Sequence, residues 1–271
     1  MKYQQFDPPE DLQPVVACFW TLEDEAGEPP GIQTIVPDGC MELIVHLGDL
    51  YRQYLDETTC IIQPRSFVFG QLTKPLRIEP TGRTHIFAVR FLPDGFLPFS
   101  SLPLLELENR AVPLDELFGP EGTHLDNQIR SAQSNVERQS LAVSFLRSRL
   151  SGSQSVDRLV KATIELMMAA SGQLPISDLS EQSRINRRQL ERRFATTIGL
   201  SPKQLSRLIR FHATLKLLLN NQAGPLTALA HEHNYYDQAH FIRDFKAFTG
   251  TTPGDFFKDH LVLSALFYGH Q

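Results

Sequence analysis

Short apolar runs separated by Pro, Gly and Asp punctuate the first hundred residues. VVACFWTL (15–22), QTIVPDGCMELIVHL (33–47), SFVFGQL (66–72) and HIFAVRFL (85–92) are rich in Val, Ile, Phe and Thr and have the length of strands. Pro37, Asp38 and Gly39 interrupt the second run, which predicts a tight turn between two strands. Strands of this kind bury themselves in an antiparallel barrel or a sandwich-like pair of sheets. From about Leu114 the period changes. Leu125, Ile129, Val136, Leu141, Phe145, Leu146 and Leu150 give residues 124–150 a helical pattern, and SGSQS at 151–155 has linker composition. Beyond it, DRLVKATIELMMAA places Leu159, Val160, Ile164 and Met167 on one side of a helix that Gly172 is placed to end. The pattern predicts an α+β chain: a β-rich unit with a helical extension over about 114–150, together residues 1–151, then an all-helical unit over 152–271.

Within the last hundred residues the chain repeats itself at a spacing of 51. LERRFATTIGLSPKQL (190–205) lies over FIRDFKAFTGTTPGDF (241–256), so Leu190 aligns with Phe241, Arg192 with Arg243, Phe194 with Phe245 and Gly199 with Gly250. Each copy predicts a short helix, a tight turn and a second helix, a helix-turn-helix. In the first copy Pro175 and Ser177 open a helix through Gln182, and Asn186 is placed to cap a second that runs to about Thr197. Leu190 and Phe194 face the core, which turns Arg187, Arg188, Glu191 and Arg192 outward. In the second copy Phe241 and Phe245 take the core positions, Asp237 the cap, and Gln238, Ala239, Ile242 and Arg243 the outer face. These side chains suit base edges in a major groove: Arg pairs bidentately with guanine, Gln with adenine, and Ile or Ala meets a thymine methyl. Arg193 and Lys246 are expected on phosphates, which position without specifying. Between the copies, PKQLSRLIRFHATLKLLLN (202–220) predicts one long helix with Pro in its first turn. Its 19 positions span about 28 Å, near the ~34 Å between successive major-groove faces of one duplex.

Charge sharpens this division. The whole chain carries 26 Lys and Arg against 31 Asp and Glu, net −5, a balance that alone argues against a nucleic-acid partner. Residues 1–150 hold 12 basic and 21 acidic side chains, whereas residues 175–260 hold 12 and 8. Arg184, Arg187, Arg188, Arg192 and Arg193 cluster against Glu191 alone, a footprint for phosphate and base contact. With 41% hydrophobic and 21% charged residues, pervasive disorder, collagen and coiled-coil composition are excluded. No apolar run reaches about 18 residues and the start lacks a basic-then-apolar leader, so neither a membrane span nor a signal peptide is expected and the protein is predicted to be cytoplasmic. Cys18, Cys40 and Cys60 are odd in number and form no C-x-x-C, which predicts reduced, mostly buried thiols rather than disulfides or a zinc site.

Residues 155–260 resemble the AraC/XylS family of bacterial transcription regulators, most specifically through NYYDQAHFIRDFKAFTGTTPGDF (234–256). The resemblance implies a DNA-binding domain of two helix-turn-helix units joined by a long helix, with the outward residues named above as its reading positions. Arg184 and Asn234 stand where the family usually has the turn glycine, Ser180 where it has alanine, and Ala239 where serine is frequent. Asn tolerates a left-handed conformation better than Arg, so the first turn is expected to be strained or reshaped. The N-terminal half is similar to a β-rich domain of unassigned function that precedes such DNA-binding domains, through VVACFW (15–20), VPDGCMELIVHLGD (36–49), FVFGQLTKP (67–75) and VRFLPDGFLPFSSLPLLEL (89–107). By analogy that half would sense a small molecule or mediate dimerisation. The partners expected are double-stranded DNA, a small-molecule effector, RNA polymerase and a second copy of the chain, with no membrane.

Catalytic chemistry finds little support. The β-rich half holds His46, His85 and His124 with no H-x-H pair, so a metal triad would have to be assembled from isolated residues, and a satisfied strand histidine is expected at each. His231 and His233 form H-x-H, but on a helix such neighbours diverge by about 200°. There is no G-x-S-x-G, G-x-G-x-x-G or P-loop. No enzyme activity, cofactor or metal site is expected. Trp20, Glu42, His46 and Arg90 are the candidate ligand contacts of a pocket in the β-rich half, although strand alternation does not say which face points inward. Cys18, in an apolar strand, reads as packing rather than a redox centre. Leu141, Phe145 and Leu150 are expected to contribute to self-association, and the apolar tail at 261–271 to dock within the chain. The rival class is a ligand-binding or catalytic β domain whose helical half is a protein-interaction module; a lack of salt-dependent DNA binding would favour it.

Overall fold

The structure, a computed structural model, describes residues 1–25, 31–150, 157–219, 235 and 237–256. The strands are, in chain order, β1 (Lys2–Phe6), β2 (Val16–Asp24), β3 (Gln33–Ile35), β4 (Glu42–His46) and β5 (Tyr51–Tyr54). They continue with β6 (Cys60–Ile62), β7 (Ser66–Phe69), β8 (Leu76–Pro80), β9 (Thr84–Phe91) and β10 (Ala111–Pro113). One sheet has the order β1-β2-β9-β4-β7-β10 and a second β3-β8-β5-β6, every pairing antiparallel. Among the described residues no strand of one ladder pairs with the other, so the chain forms two facing layers rather than a closed barrel. The Pro37–Gly39 turn does not close a hairpin. It carries the chain from β3 in the smaller sheet to β4 in the larger, with Cys40 N donating to Asp38 Oδ1 at 2.8 Å and Gly39 at φ +80°.

The larger sheet is covered on both faces, which is why β2 and β9 read as nearly continuous apolar runs. Register places Cys18, Arg90 and Glu42 in one row, Trp20, Ala88 and Ile44 in the next, and Leu22, Ile86 and His46 in a third. This face meets Tyr51 and Ile78 of the smaller sheet. The alternate residues Phe19, Leu43, Val45, Phe87, Val89 and Phe91 pack the other way, into a core shared with three helices. Those helices are α1 (Leu114–Phe118), α2 (Pro120–Ser131) and α3 (Asn135–Leu150). The continuous helical pattern expected over 124–150 is thus broken at 132–134. The buried Arg138 closes the break by donating to the carbonyls of Ile129 and Ala132 at 3.3 and 2.6 Å.

Among the described residues six further helices follow: α4 (Arg158–Ala169), α5 (Ile176–Gln182), α6 (Arg187–Thr197), α7 (Pro202–Leu219), α8 (Gln238–Thr249) and α9 (Pro253–Phe256). Val160, Ile164, Met167, Leu190, Phe194, Phe211, Phe241 and Phe245 build their common core, and Phe211 of α7 sits edge-on to Phe245 at 5.5 Å. Each such ring or aliphatic side chain, fully buried, contributes about 1.5–3 kcal/mol. The linker at 151–155, Asn220, His231, His233, Asn234 and the tail at 261–271 lie outside the described residues.

Several expectations change. Cys18 is buried but Cys40 is half-buried and Cys60 exposed, because β6 is an edge strand with Ile61 and Ile62 also in solvent. His124 lies exposed on α2 rather than in a strand, and the buried His46 has an Nδ1 with no partner. Leu141, Phe145 and Leu150 are half-buried against the chain's own core, which reduces what they offer a second copy. Arg184 does take the left-handed conformation, at φ 55°, while Ile185 N reaches back to Ser180 O at 3.2 Å to close the end of α5. A Cβ in that conformation costs about 1 kcal/mol that glycine avoids. Arg184→Gly is therefore expected to raise stability by roughly 0.5–1 kcal/mol, read as a higher urea midpoint at unchanged slope; a lower midpoint would show that the arginine side chain contributes more than its backbone costs.

Candidate functional site

α6 forms through a cap and a stripe. Asn186, extended before the helix, accepts from Gln189 N at 2.9 Å, and Leu190, Phe194 and Thr197 are buried at helical spacing. Arg187, Arg188, Arg192 and Arg193 are exposed; Glu191 is half-buried, its Oε1 2.8 Å from Arg187 Nε one turn earlier. Arg188 and Arg192 line a shallow concavity with Asn186 and Gln189. Arg193 points elsewhere: Nη1 lies 2.7 Å from Asp157 Oδ2, while Asp157 Oδ1 caps α4. An exposed pair of this kind contributes at most about 1 kcal/mol, so exchange of the carboxylate for a phosphate costs little.

α8 repeats the plan. Asp237 accepts from His240 N at 2.7 Å, and Phe241, Phe245 and Phe248 are buried. Ala239, Arg243 and Lys246 are exposed, Gln238 is half-buried, and Ile242 packs partly against the helical core. Among the described residues no carboxylate pairs with Arg188, Arg192 or Arg243. Arg207 and Arg210 of α7 differ. Both turn to Asp244 of α8, which is 2% exposed, at 2.7 and 3.5 Å. Arg210 also lies over the Tyr235 ring, 4.6 Å from its centroid. Removing one partner from such a buried pair costs about 3–5 kcal/mol, so these two arginines fasten α8 to α7. Asp244 escaped the sequence reading because it sits between Arg243 and Phe245 with no local sign of its partners.

In the β-rich half, Trp20, Glu42, His46 and Arg90 come together. All four point from the larger sheet toward the smaller and line a cavity of about 80 Å³ with Tyr51, Phe69, Ile78 and Ile86. Arg90 donates to Asp38 and, at 3.0 Å, to Glu42 Oε1, which also accepts from the Trp20 indole N–H at 3.3 Å. Burial raises the Glu42 carboxyl above its ordinary pKa, outweighing the opposing pull of Arg90. It likewise pushes the Cys18 and Cys40 thiols up to about 11 and about 12, which keeps them protonated and unreactive. Asp38 was read only as a turn residue; its ion partner lies 52 positions away, beyond any local signal.

The same ion cluster faces the helical half. Asp38, Cys40 and Arg90 line a cleft of about 430 Å³ with Met168, Leu205, Ile209 and His212. His212 Nε2 donates to Pro37 O, and Val36 packs into the helical core. A Cβ on Gly39 would lie 3.1 Å from Leu205 Cδ1, so glycine serves both the turn's backbone and its close approach to α7. Among the described residues no cluster of His, Cys, Asp and Glu is arranged to hold a metal, and no helix is long and apolar enough to cross a membrane.

A capped, arginine-bearing helix-turn-helix behind two facing β layers supports a DNA-binding regulator. Residues 179–259 match the helix-turn-helix domain family, and residues 4–113 match a domain of unknown function (DUF6597). The helix-turn-helix domain is of the AraC type, carried behind that N-terminal domain. No curated protein matches the chain in sequence. Among solved structures it is similar to ToxT from Vibrio cholerae, at 13% identity and TM-score 0.47 over 89% of this chain and 98% of that one. It is also similar to ToxT from Vibrio cholerae bound to (E)-4-(8-methylnaphthalen-1-yl)but-3-enoic acid, at 11% identity and TM-score 0.46 over 95% and 99%. Likeness at that level is one of general arrangement and carries no functional conclusion.

The cavity has a pH signature. Burial lowers the His46 pKa from 6.5 to about 4. The folded ring stays neutral where the unfolded one takes up a proton, so its contribution is complete above pH 6.5 and is lost as pH falls toward 4. Urea unfolding of the wild type should lose about 2–3 kcal/mol more between these limits than that of His46→Leu. An identical pH slope in the two proteins would remove the assignment.

Proposed function

We propose that the chain is a ligand-responsive, sequence-specific transcription regulator in which α6 and α8 enter adjacent major-groove segments of one duplex. The observation that carries this reading is the pair of capped helices, both packed into one core with α7, whose outer faces hold Arg188, Arg192 and Arg243 with no carboxylate partner among the described residues. α7, of 18 residues, joins the two units, and α8 packs on it through Arg207, Arg210 and Phe211. Arg187, Arg188, Glu191, Arg192, Gln238, Ala239, Ile242 and Arg243 would face the bases, and Arg193 and Lys246 the phosphates.

In this reading residues 1–151 form the sensing half and 152–271 the DNA-binding half, a division supported by α1–α3 sharing the sheet's core and α4–α9 sharing another. Trp20, Glu42, His46 and Arg90 would contact a small molecule in the cavity. Its occupancy would reach the DNA-binding half through the Pro37–Gly39 turn, held on one side by Arg90 and on the other by His212. The regulator would act in the cytoplasm, as a dimer, with RNA polymerase as its further partner.

Fluorescence anisotropy of the full chain on DNA from its own gene's upstream region tests the reading. Arg192→Ala and Arg243→Ala should each cost about 1–3 kcal/mol on the preferred sequence and relax preference at one base pair. Lys246→Ala should weaken all sequences alike and reduce the salt slope by about 1. Full discrimination by Arg192→Ala would contradict the assignment, and no salt-dependent binding by the wild type would contradict the function.

A further inference from the structure

We propose that the cavity between the two sheets takes a small organic ammonium ion, held by Glu42 and the aromatic wall beside it. The proposal rests on the sensing function proposed above and names the class of molecule sensed. Charge points to it first. Asp38, Glu42 and Arg90 are the ionisable acid and base groups lining the cavity, two carboxyls on one guanidinium, so with both carboxyls ionised, as a bound cation would favour, the polar end is a net acceptor of positive charge. An anion would meet an arginine already shared between two carboxylates and add a third negative charge beside them. Geometry adds to this. Both donors to Glu42, from Trp20 and Arg90, converge on Oε1, and no described residue donates to Oε2.

The far end of the cavity also asks for a donor. Gln63 Nε2 donates to Gln53 Oε1 at 3.2 Å, which leaves Gln63 Oε1 as acceptor for His46 Nε2 at 3.3 Å. That hydrogen bond fixes the tautomer and leaves His46 Nδ1 a bare acceptor. His46 is 1% exposed, lines the cavity, and its Nδ1 has no partner. The walls between are Trp20, Ile44, Tyr51, Phe69, Ile78 and Ile86. They suit a short hydrocarbon body, and three of them, Trp20, Tyr51 and Phe69, are aromatic. At about 10–15 Å³ for each water-sized position, 80 Å³ holds roughly five to eight heavy atoms. A small alkyl amine, protonated at neutral pH, meets the size, the charge and the demand for N–H donors at the Glu42 end, and one with a second donor at its other end would serve His46 Nδ1 as well.

Trp20 is the single tryptophan of the chain and donates to Glu42, so its emission reports on this cavity. The experiment titrates the full-length protein with n-butylammonium, 1-butanol and butyrate, matched in shape and different in charge, by Trp20 fluorescence and calorimetry at constant ionic strength. Saturable binding of n-butylammonium is expected, with the other two weaker by roughly tenfold or more, and with that preference lost in Glu42→Gln. Circular dichroism establishes that the variant folds; if it does not, the wild-type selectivity decides. Equal or tighter binding of butyrate or 1-butanol, or no saturation by n-butylammonium, overturns the proposal. Anisotropy on upstream DNA with and without n-butylammonium separates the two readings. A change in DNA affinity supports both, whereas binding without such a change keeps the ligand class and removes the sensing function.

Discussion

One guanidinium between two carboxylates sets the geometry on which both halves of the molecule depend. Arg90 stands on β9, the strand that pairs with both β2 and β4, and strand register alone puts Glu42 beside it. Asp38 reaches the same group from the turn that carries the chain between the sheets. Burial works against such a cluster, since each charge loses water that only its neighbours replace. Arg90 has two carboxyl groups to satisfy, and the turn that supplies the second becomes a fixed part of the wall. That wall has two sides. Inward it closes the cavity beneath Trp20; outward it meets α7 through Pro37, Gly39 and His212.

The helical half is organised by what it buries. Phe194, Phe211, Phe241 and Phe245 are fully buried in one core, and the buried Asp244 ties Arg207 and Arg210 to α8. The arginines of α7 are thereby spent on structure, while those of α6 and α8 stay on the outside. The difference lies in helical phase: Arg188 and Arg192 fall opposite Leu190 and Phe194, and Arg243 falls away from Phe241 and Phe245. A second, closer contact joins the halves where Gly199, after α6, meets Leu104; a Cβ there would come within 3.0 Å of the Leu104 carbonyl. The end of α6 and the first half of α7 therefore rest on the β-rich half.

Much of this was legible along the chain because its causes are local. Caps at Asn186 and Asp237 and the phase of the phenylalanines follow from neighbours three to five residues away, whereas the left-handed residue at Arg184 follows from the resemblance alone. Of the strands that the sequence concealed, β1, β5 and β8 are short and carry polar residues on half-exposed faces, while β6 and β10 are three residues each, too short for an apolar run to mark them. The candidate cavity residues were chosen without knowing which face pointed inward, and only the register of β2, β9 and β4 decides that. What escaped altogether is long-range: Asp38 to Arg90, Asp244 to Arg207, and His212 to Pro37 join residues 37 to 175 positions apart. Pairing at that distance is set by packing, not by pattern.

Coupling between cavity and DNA through the Pro37–Gly39 turn is tested by a double-mutant cycle on the affinity of the full chain for its upstream DNA. Asp38→Asn loosens the turn from Arg90, and His212→Ala loosens it from α7. If the turn is the link, each variant shifts DNA affinity and the double variant shifts it no further than the larger single, an interaction energy of about 0.5–3 kcal/mol. Shifts that simply add, or no shift in any of the three, would contradict it.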